Sequence, residues 1–120
     1  MNDPLDSLKF YQQSMRLYDA CWDDCEVLAT DFRGIEIARQ IIRSCGSISA
    51  NIEEGYGRGF GKEYPQFLRV SRGSARETKG WYGRSKRLLG QELIDQRMNE
   101  LNGIIAMLSK TIKTLEEKNR

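Results

Sequence analysis

The chain has 120 residues, 39% hydrophobic and 30% charged, and its 19 Lys and Arg against 17 Asp and Glu leave a net charge of +2. This is one domain's length, able to bury roughly two-thirds of its unfolded surface. With no histidine, histidine-dependent triads and most zinc and di-iron bundle sites are excluded, and with no apolar run near the roughly 20 residues that cross a bilayer and no charged-then-apolar leader, a cytoplasmic protein without membrane contact is expected.

Charge is unevenly spread. The segment Met1 to Phe32 has two basic and seven acidic residues, Arg33 to Gly90 twelve basic and five acidic, and Gln91 to Arg120 five of each, so the positive charge is concentrated in the middle. The three cysteines, Cys21, Cys25 and Cys45, include no C-x-x-C pair and fit reduced buried thiols better than a disulfide frame. Cys21 and Cys25 sit one helical turn apart, and with Cys45 they offer three metal ligands. No fourth is apparent, which makes packing the stronger reading and leaves no metal expected.

In chain order, Asp6 or Ser7 can cap a first helix over about 7–30, with Leu8, Tyr11, Met15, Tyr18, Trp22, Cys25 and Ala29 as its apolar stripe. Asp19, Asp23 and Glu26 fall on another face. Asp31 is a natural N-cap for a second helix over about 32–55, which carries Ile35, Ala38, Ile41, Ile42, Cys45, Ile48 and Ile52 inward. Its second half, with Gly46, Ser47, Ser49 and Ala50 between the larger residues, is almost without bulk on one side. Gly55, Gly57, Gly59 and Gly61 then end it.

A third helix over about 62–89 begins near Lys62, because Pro65 is tolerated only in a first turn. Its stripe is Tyr64, Phe67 or Leu68, Ser71, Ser74, Thr78, Trp81, Ser85 and Leu88. Ser71, Gly73, Ser74, Ala75 and Thr78 form a second small-residue surface, so these two helices should run antiparallel and pack closely. Gly73, Gly80 and Gly83 each cost up to about 1 kcal/mol relative to alanine, so tertiary or intersubunit contact has to hold this helix. Gly90 marks a break. The fourth helix, over about 92–117, carries Ile94, Met98, Leu101, Ile105, Leu108, Ile112 and Leu115 at steps of four and three and ends in charge from Lys118 to Arg120. No strand pattern appears, and the expected fold is all-α, an antiparallel up-down-up-down four-helix bundle.

The stretch SISANIEEGYGR followed by KEYPQFLRVSRGSARE resembles the signature of a four-helix-bundle family of proteins encoded in intervening sequences of large-subunit ribosomal RNA genes, also called the S23-type family. The resemblance falls on Ser47, Ile48, Asn51, Ile52, Glu54, Gly55, Gly57, Arg58, Glu63, Tyr64, Phe67, Leu68, Gly73, Ser74 and Glu77. Glu53 stands where that family usually has a small residue. The resemblance implies a non-enzymatic protein assembled as a homopentamer. A distantly similar bundle is the accessory protein of diversity-generating retroelements, a basic pentamer that binds a reverse transcriptase and nucleic acid. Only the shared architecture is carried over from it.

Three candidate sites follow from the residues. Arg69, Arg72, Arg76 and Lys79 recur at steps of three and four and lead into Arg84, Lys86 and Arg87, a basic stripe suited to an RNA or DNA backbone, or to the acidic face of the first helix. Asn51, Glu54, Arg58, Glu63 and Glu77 can form a structural polar cluster where the second and third helices meet. Its carboxylates have an arginine available but no nucleophile or metal ligand set beside them, so no enzymatic activity and no small-molecule substrate are expected. GYGRGFG follows a helix and lacks a GK[ST] ending, which makes it a turn rather than a phosphate loop, and no cofactor is implied. Phe10, Tyr18, Trp22, Trp81 and Tyr82 are too many large rings for a slim bundle with a small-residue waist, so some should be contacts between subunits of a homo-oligomer.

Overall fold

The computed structural model describes residues 3–59 and 61–119. Phe60 of the glycine link and the terminal Arg120 lie outside them. Helix α1 spans Lys9–Leu28, α2 Phe32–Gly57, α3 Glu63–Gly83, the short α4 Lys86–Leu89, and α5 Gln91–Lys118. Among the described residues there is no strand, and no helix is long and apolar enough to cross a membrane.

Side-chain contacts fix the direction of every neighbouring pair. Between α1 and α2, Tyr11 meets Glu53, Cys21 meets Cys45 and Cys25 meets the Ala38 carbonyl. Between α2 and α3 the partners run from Arg43 with Glu77 to Ile48 with Ser71. Arg69 reaches Glu116 and Arg72 reaches Ser109 across α3 and α5, and on α1 Asp24 holds Arg97 of α5 while Gln13 lies 4.0 Å from where a Cβ on Gly103 would stand. Low numbers face high numbers each time, so all four pairs are antiparallel. This is an up-down-up-down bundle, 48 × 29 × 20 Å, around one apolar core.

The element ends differ from the sequence reading at the first cap and at the end of the third helix, and agree with it at Asp31 and Gly90. Asp3, rather than Asp6 or Ser7, supplies the first cap: its carboxylate accepts from the Leu5 amide at 3.0 Å and holds a 3-10 turn, Pro4–Ser7, ahead of α1. Asp31 caps α2 by accepting from the Arg33 amide at 2.8 Å. The third helix does not run on to residue 89. It stops at Gly83, where two nearby glycines weaken the helical preference and the buried Ser85 turns its hydroxyl back to the Trp81 carbonyl at 2.8 Å. Gly90, at φ +82°, then separates α4 from α5 in a conformation that L side chains rarely adopt.

The inward faces also shift. On α1 the buried row is Phe10, Ser14, Leu17, Cys21, Asp24 and Leu28, while Met15 and Trp22 of the expected stripe are exposed. On α2 Ile41, Cys45, Ile48 and Ile52 point inward, and Ile35 faces out. On α3 Leu68, Ala75 and Tyr82 are inward. Helix α5 follows its expected stripe most closely but adds Ile104 and Arg97.

Candidate interaction surfaces and the polar interior

The α2–α3 seam is built from the small residues. Ser44 and Thr78 share a hydrogen bond of 2.8 Å, as do Ser47 and Ser74, and the Ser71 hydroxyl donates to the Ile48 carbonyl at 2.8 Å. Hydroxyls this short reach across only when the two backbones are close. At the end of the seam, a Cβ added to Gly55 would stand 2.6 Å from Cβ of Phe67.

The five residues expected as one polar cluster separate into three groups. Arg58 pairs with Glu54 at 2.8 Å and with Glu63 at 3.6 Å, bridging the end of α2 and the start of α3. Asn51 donates to the carbonyl and hydroxyl of Ser47 within α2. Glu77 lies about four helical turns along α3 from Glu63: it pairs with Arg43 and accepts from the Trp81 indole at 3.0 Å. Antiparallel α2 and α3 set residues 43 and 77 level with each other, which takes Glu77 away from Arg58. Glu53, the departure from the family pattern, accepts from the Tyr11 hydroxyl at 2.6 Å, and that bond pushes the Tyr11 phenol up to about 12.

The basic stripe also divides. Arg69 is bound to Glu116 at 3.0 Å and Arg72 donates to Ser109 at 3.2 Å, so the first two cations are engaged by α5. Among the described residues no carboxylate pairs with Arg76, Lys79, Arg84, Lys86 or Arg87. The Arg84 guanidinium instead lies 5.0 Å from the centre of the Trp81 ring.

The aromatic residues divide in the same manner. Phe10 and Tyr82 are buried inside the subunit, at 6% and 0% exposure, which corrects their expected place between subunits. Tyr82 fits because its hydroxyl has partners there. Trp22 is 57% exposed, with Tyr18 6.5 Å away, ring centre to ring centre. Trp22 forms one wall of an apolar groove of about 430 Å³ between α1 and α2, whose other walls include Cys25, Ile35 and Ile42. A second, more polar cleft of about 760 Å³ runs between α1 and α5, past Gln13, Arg16, Gln96 and Asn99.

The interior holds a charged network that the sequence reading missed. Arg97 donates through Nε to Asp24 Oδ2 at 2.7 Å and through Nη2 to Oδ1 at 3.3 Å, and its Nη1 reaches Glu100 at 3.0 Å. The Tyr82 hydroxyl donates to Asp24 Oδ2 at 2.6 Å and lies 3.1 Å from Cys21 Sγ, which is 3.0 Å from Cys45 Sγ. Burial alone would draw the Arg97 guanidinium down, but the Asp24 hydrogen bonds and charge outweigh it and hold the group above its ordinary value. Tyr82 is pushed far up, first by burial and then by Cys21 and Asp24. The available signal was Asp24 itself, which stands in the row Phe10, Ser14, Leu17, Cys21, Leu28 at heptad spacing, and Arg97 in the matching row of α5. Among the described residues no group of three or more His, Cys, Asp or Glu could hold a metal ion.

A tight serine-glycine seam, antiparallel neighbours throughout and a charged tie between the first and last helices define an antiparallel four-helix-bundle protein. The crystal structure of a protein of unknown function from the S23 ribosomal protein family of Bacteroides thetaiotaomicron has the same fold, with a TM-score of 0.81 at 23% identity over 87% of this chain and 98% of that one. The family model described as 23S rRNA-intervening sequence protein matches residues 6–110, and the chain belongs to that family. No curated protein matches the chain.

Proposed function

We propose that the protein is a non-enzymatic cytoplasmic assembly module that works as a homo-oligomer, a pentamer if it follows the family resemblance. The observation that carries this reading is the outer face of α1 and α2. Met15, Trp22, Phe32 and Ile35 are 36–77% exposed there, and the groove beside Trp22 is almost wholly apolar in its lining. Side chains of this kind are costly to leave in water and are favoured at subunit contacts. Light scattering should return a multiple of the 13.8 kDa chain mass, and Trp22→Glu should lower that multiple. A monomer at micromolar concentration would end the reading.

The oligomer offers nucleic acid, or a nucleic-acid enzyme such as a reverse transcriptase, a surface of cations with no carboxylate partner among the described residues. Arg76, Lys79, Arg84, Lys86 and Arg87 support this contact with phosphate. The competing reading is a protein-binding scaffold, supported by the carboxylate already on Arg69 and the α5 hydroxyl on Arg72. Titrating a structured RNA at low and moderate salt separates them: binding that weakens steeply with salt favours phosphate contact, and none at low salt leaves the scaffold.

A further inference from the structure

We infer that Arg84, held on the Trp81 ring in the space that Gly80 leaves open, is a pre-oriented contact for the phosphates of a nucleic-acid backbone, with Arg76, one helical turn before Gly80, as its second cation. The inference rests on the nucleic-acid reading above and deepens it. Of the cations without a carboxylate, it names the one whose position is fixed before a ligand arrives.

Direct contacts bring the parts together. Arg43 of α2 pairs with Oε2 of Glu77 on α3, and the same oxygen accepts from the Trp81 indole N–H at 3.0 Å. The ring is therefore held from across the seam. The Arg84 guanidinium lies over that ring, 5.0 Å from its centre. It lies over Gly80 as well, because a Cβ added there would stand 2.9 Å from Arg84 Nη1. No atom of another helix comes within 4 Å of such a Cβ, and Gly80 has no positive φ. Neither close packing nor backbone conformation thus asks for glycine at this position; the guanidinium does.

Arg76 stands one turn earlier on the same face, where positions i and i+4 are neighbours about 5–6 Å apart. Folded over Gly80, the Arg84 guanidinium takes the place that a side chain of residue 80 would fill, next to Arg76. Both arginines are exposed, and among the described residues no carboxylate pairs with either. Like charges one turn apart repel until an anion bridges them. A stacked guanidinium keeps its N–H fork free at the edge, in the plane that matches phosphate oxygens. With the ring limiting its rotamers, less side-chain entropy is lost on binding. Its outer face is also a plane on which a base can stack, which an acidic protein segment, the competing partner, does not use.

The probe is a fluorescent oligouridylate of about 16 nucleotides, a length within the site sizes of such surfaces, with polyglutamate of equal charge as the rival. The oligonucleotide should bind more tightly. Arg84→Lys keeps the charge but loses the fork and the ring stack, and should weaken binding about fivefold with the salt slope unchanged. Arg84→Gln should weaken it further and reduce that slope by about 0.7, one single-strand phosphate contact. Gly80→Ala should weaken it as much as Arg84→Lys while leaving the fold at least as stable, because helix propensity offsets the lost ring contact. A merely structural stack would lose stability and no affinity. Should Gly80→Ala fail to fold, Arg84→Lys decides by itself. If the strand binds but Arg84→Lys or a folded Gly80→Ala binds as tightly as the parent, this site is wrong and the general phosphate contact stands. Tighter binding of polyglutamate would make the partner an acidic protein and overturn the inference. If no oligonucleotide binds at low salt, the nucleic-acid reading fails as well. Weakened binding that comes with a changed mass in light scattering overturns the site and gives Arg84 to a subunit contact.

Discussion

Asp24 is the residue whose loss should be felt most. It accepts from two groups on different helices, Tyr82 of α3 and Arg97 of α5, and its side chain is 6% exposed against 10% for Arg97. Removing one member of a buried pair leaves the other charge unpaired, so Asp24→Ala should cost about 3–5 kcal/mol in urea unfolding. Replacing both partners with apolar residues of similar volume, Asp24→Leu with Arg97→Met, should regain much of that. A single variant as stable as the parent would show that the tie contributes nothing. Cys25 gives a pH test. Burial pushes its thiol from an ordinary 9.0 up to about 12, so between those values the unfolded chain has released a proton that the folded chain keeps. The unfolded state then binds fewer protons, and stability must fall as pH rises from 9 toward 12, being fully present below 9. Tyr64, raised by burial to about 12, adds a fall in the same direction above 10. Melting temperatures from pH 8 upward should fall more steeply in the parent than in Cys25→Ala, which keeps the Cys45 thiol that its hydrogen bond with Cys21 and burial also hold above the ordinary value, and identical curves would remove the buried-thiol account.

Among the elements, Gly55 lies in the α2–α3 seam while Gly73, expected in the same small-residue surface, is exposed outside it, so the two make opposite demands. A methyl at Gly55 has Phe67 Cβ 2.6 Å away, an atom next to the backbone that cannot swing aside. Gly55→Ala should therefore destabilise by about 1–3 kcal/mol through overpacking. Gly73 lies in the interior of α3 with nothing within 4 Å of an added Cβ. Gly73→Ala should stabilise by up to about 1 kcal/mol, the helix propensity alone. Thermal unfolding of the two variants tests the seam as a pair, and equal shifts in one direction would mean that close approach is not what the small residues are for. The break at Gly83–Ser85 belongs to the same scale. It lets α4 fold Leu88 back against Gly34 while Lys86 and Arg87 stay exposed, which a straight helix to residue 89 would not do.

For the whole molecule, the apolar groove on α1 and α2 and the cations at the end of α3 occupy different surfaces, so association and nucleic-acid contact can be separated by substitution. Trp22→Glu should reduce the mass seen by light scattering without unfolding the bundle, because Trp22 is 57% exposed. An unchanged mass would free that face from any part in assembly. The two surfaces also differ in how they respond to salt. Apolar association should persist at salt concentrations that abolish phosphate contact, since screening acts on charges and scarcely on apolar burial.

Periodicity, glycine breaks and caps in the sequence determined that this is a four-helix bundle, that α2 and α3 meet through serine and glycine, and that Asp31 opens α2, because each of these depends on residues close in the chain. The family signature lies in the same stretch. Only the tertiary structure decided which row of α1 is inward. Phe10, Leu17 and Cys21 and the rival row of Tyr11, Met15 and Trp22 both repeat at heptad spacing, and the aromatic row is the more hydrophobic to the eye. The row that contains Asp24 is the inward one, and its partner there is Arg97, some seventy residues away, while Trp22 stands outside. A sequence lists the charges, but whether two of them cancel in the interior depends on which helices become neighbours, and that is settled only when the chain closes on itself.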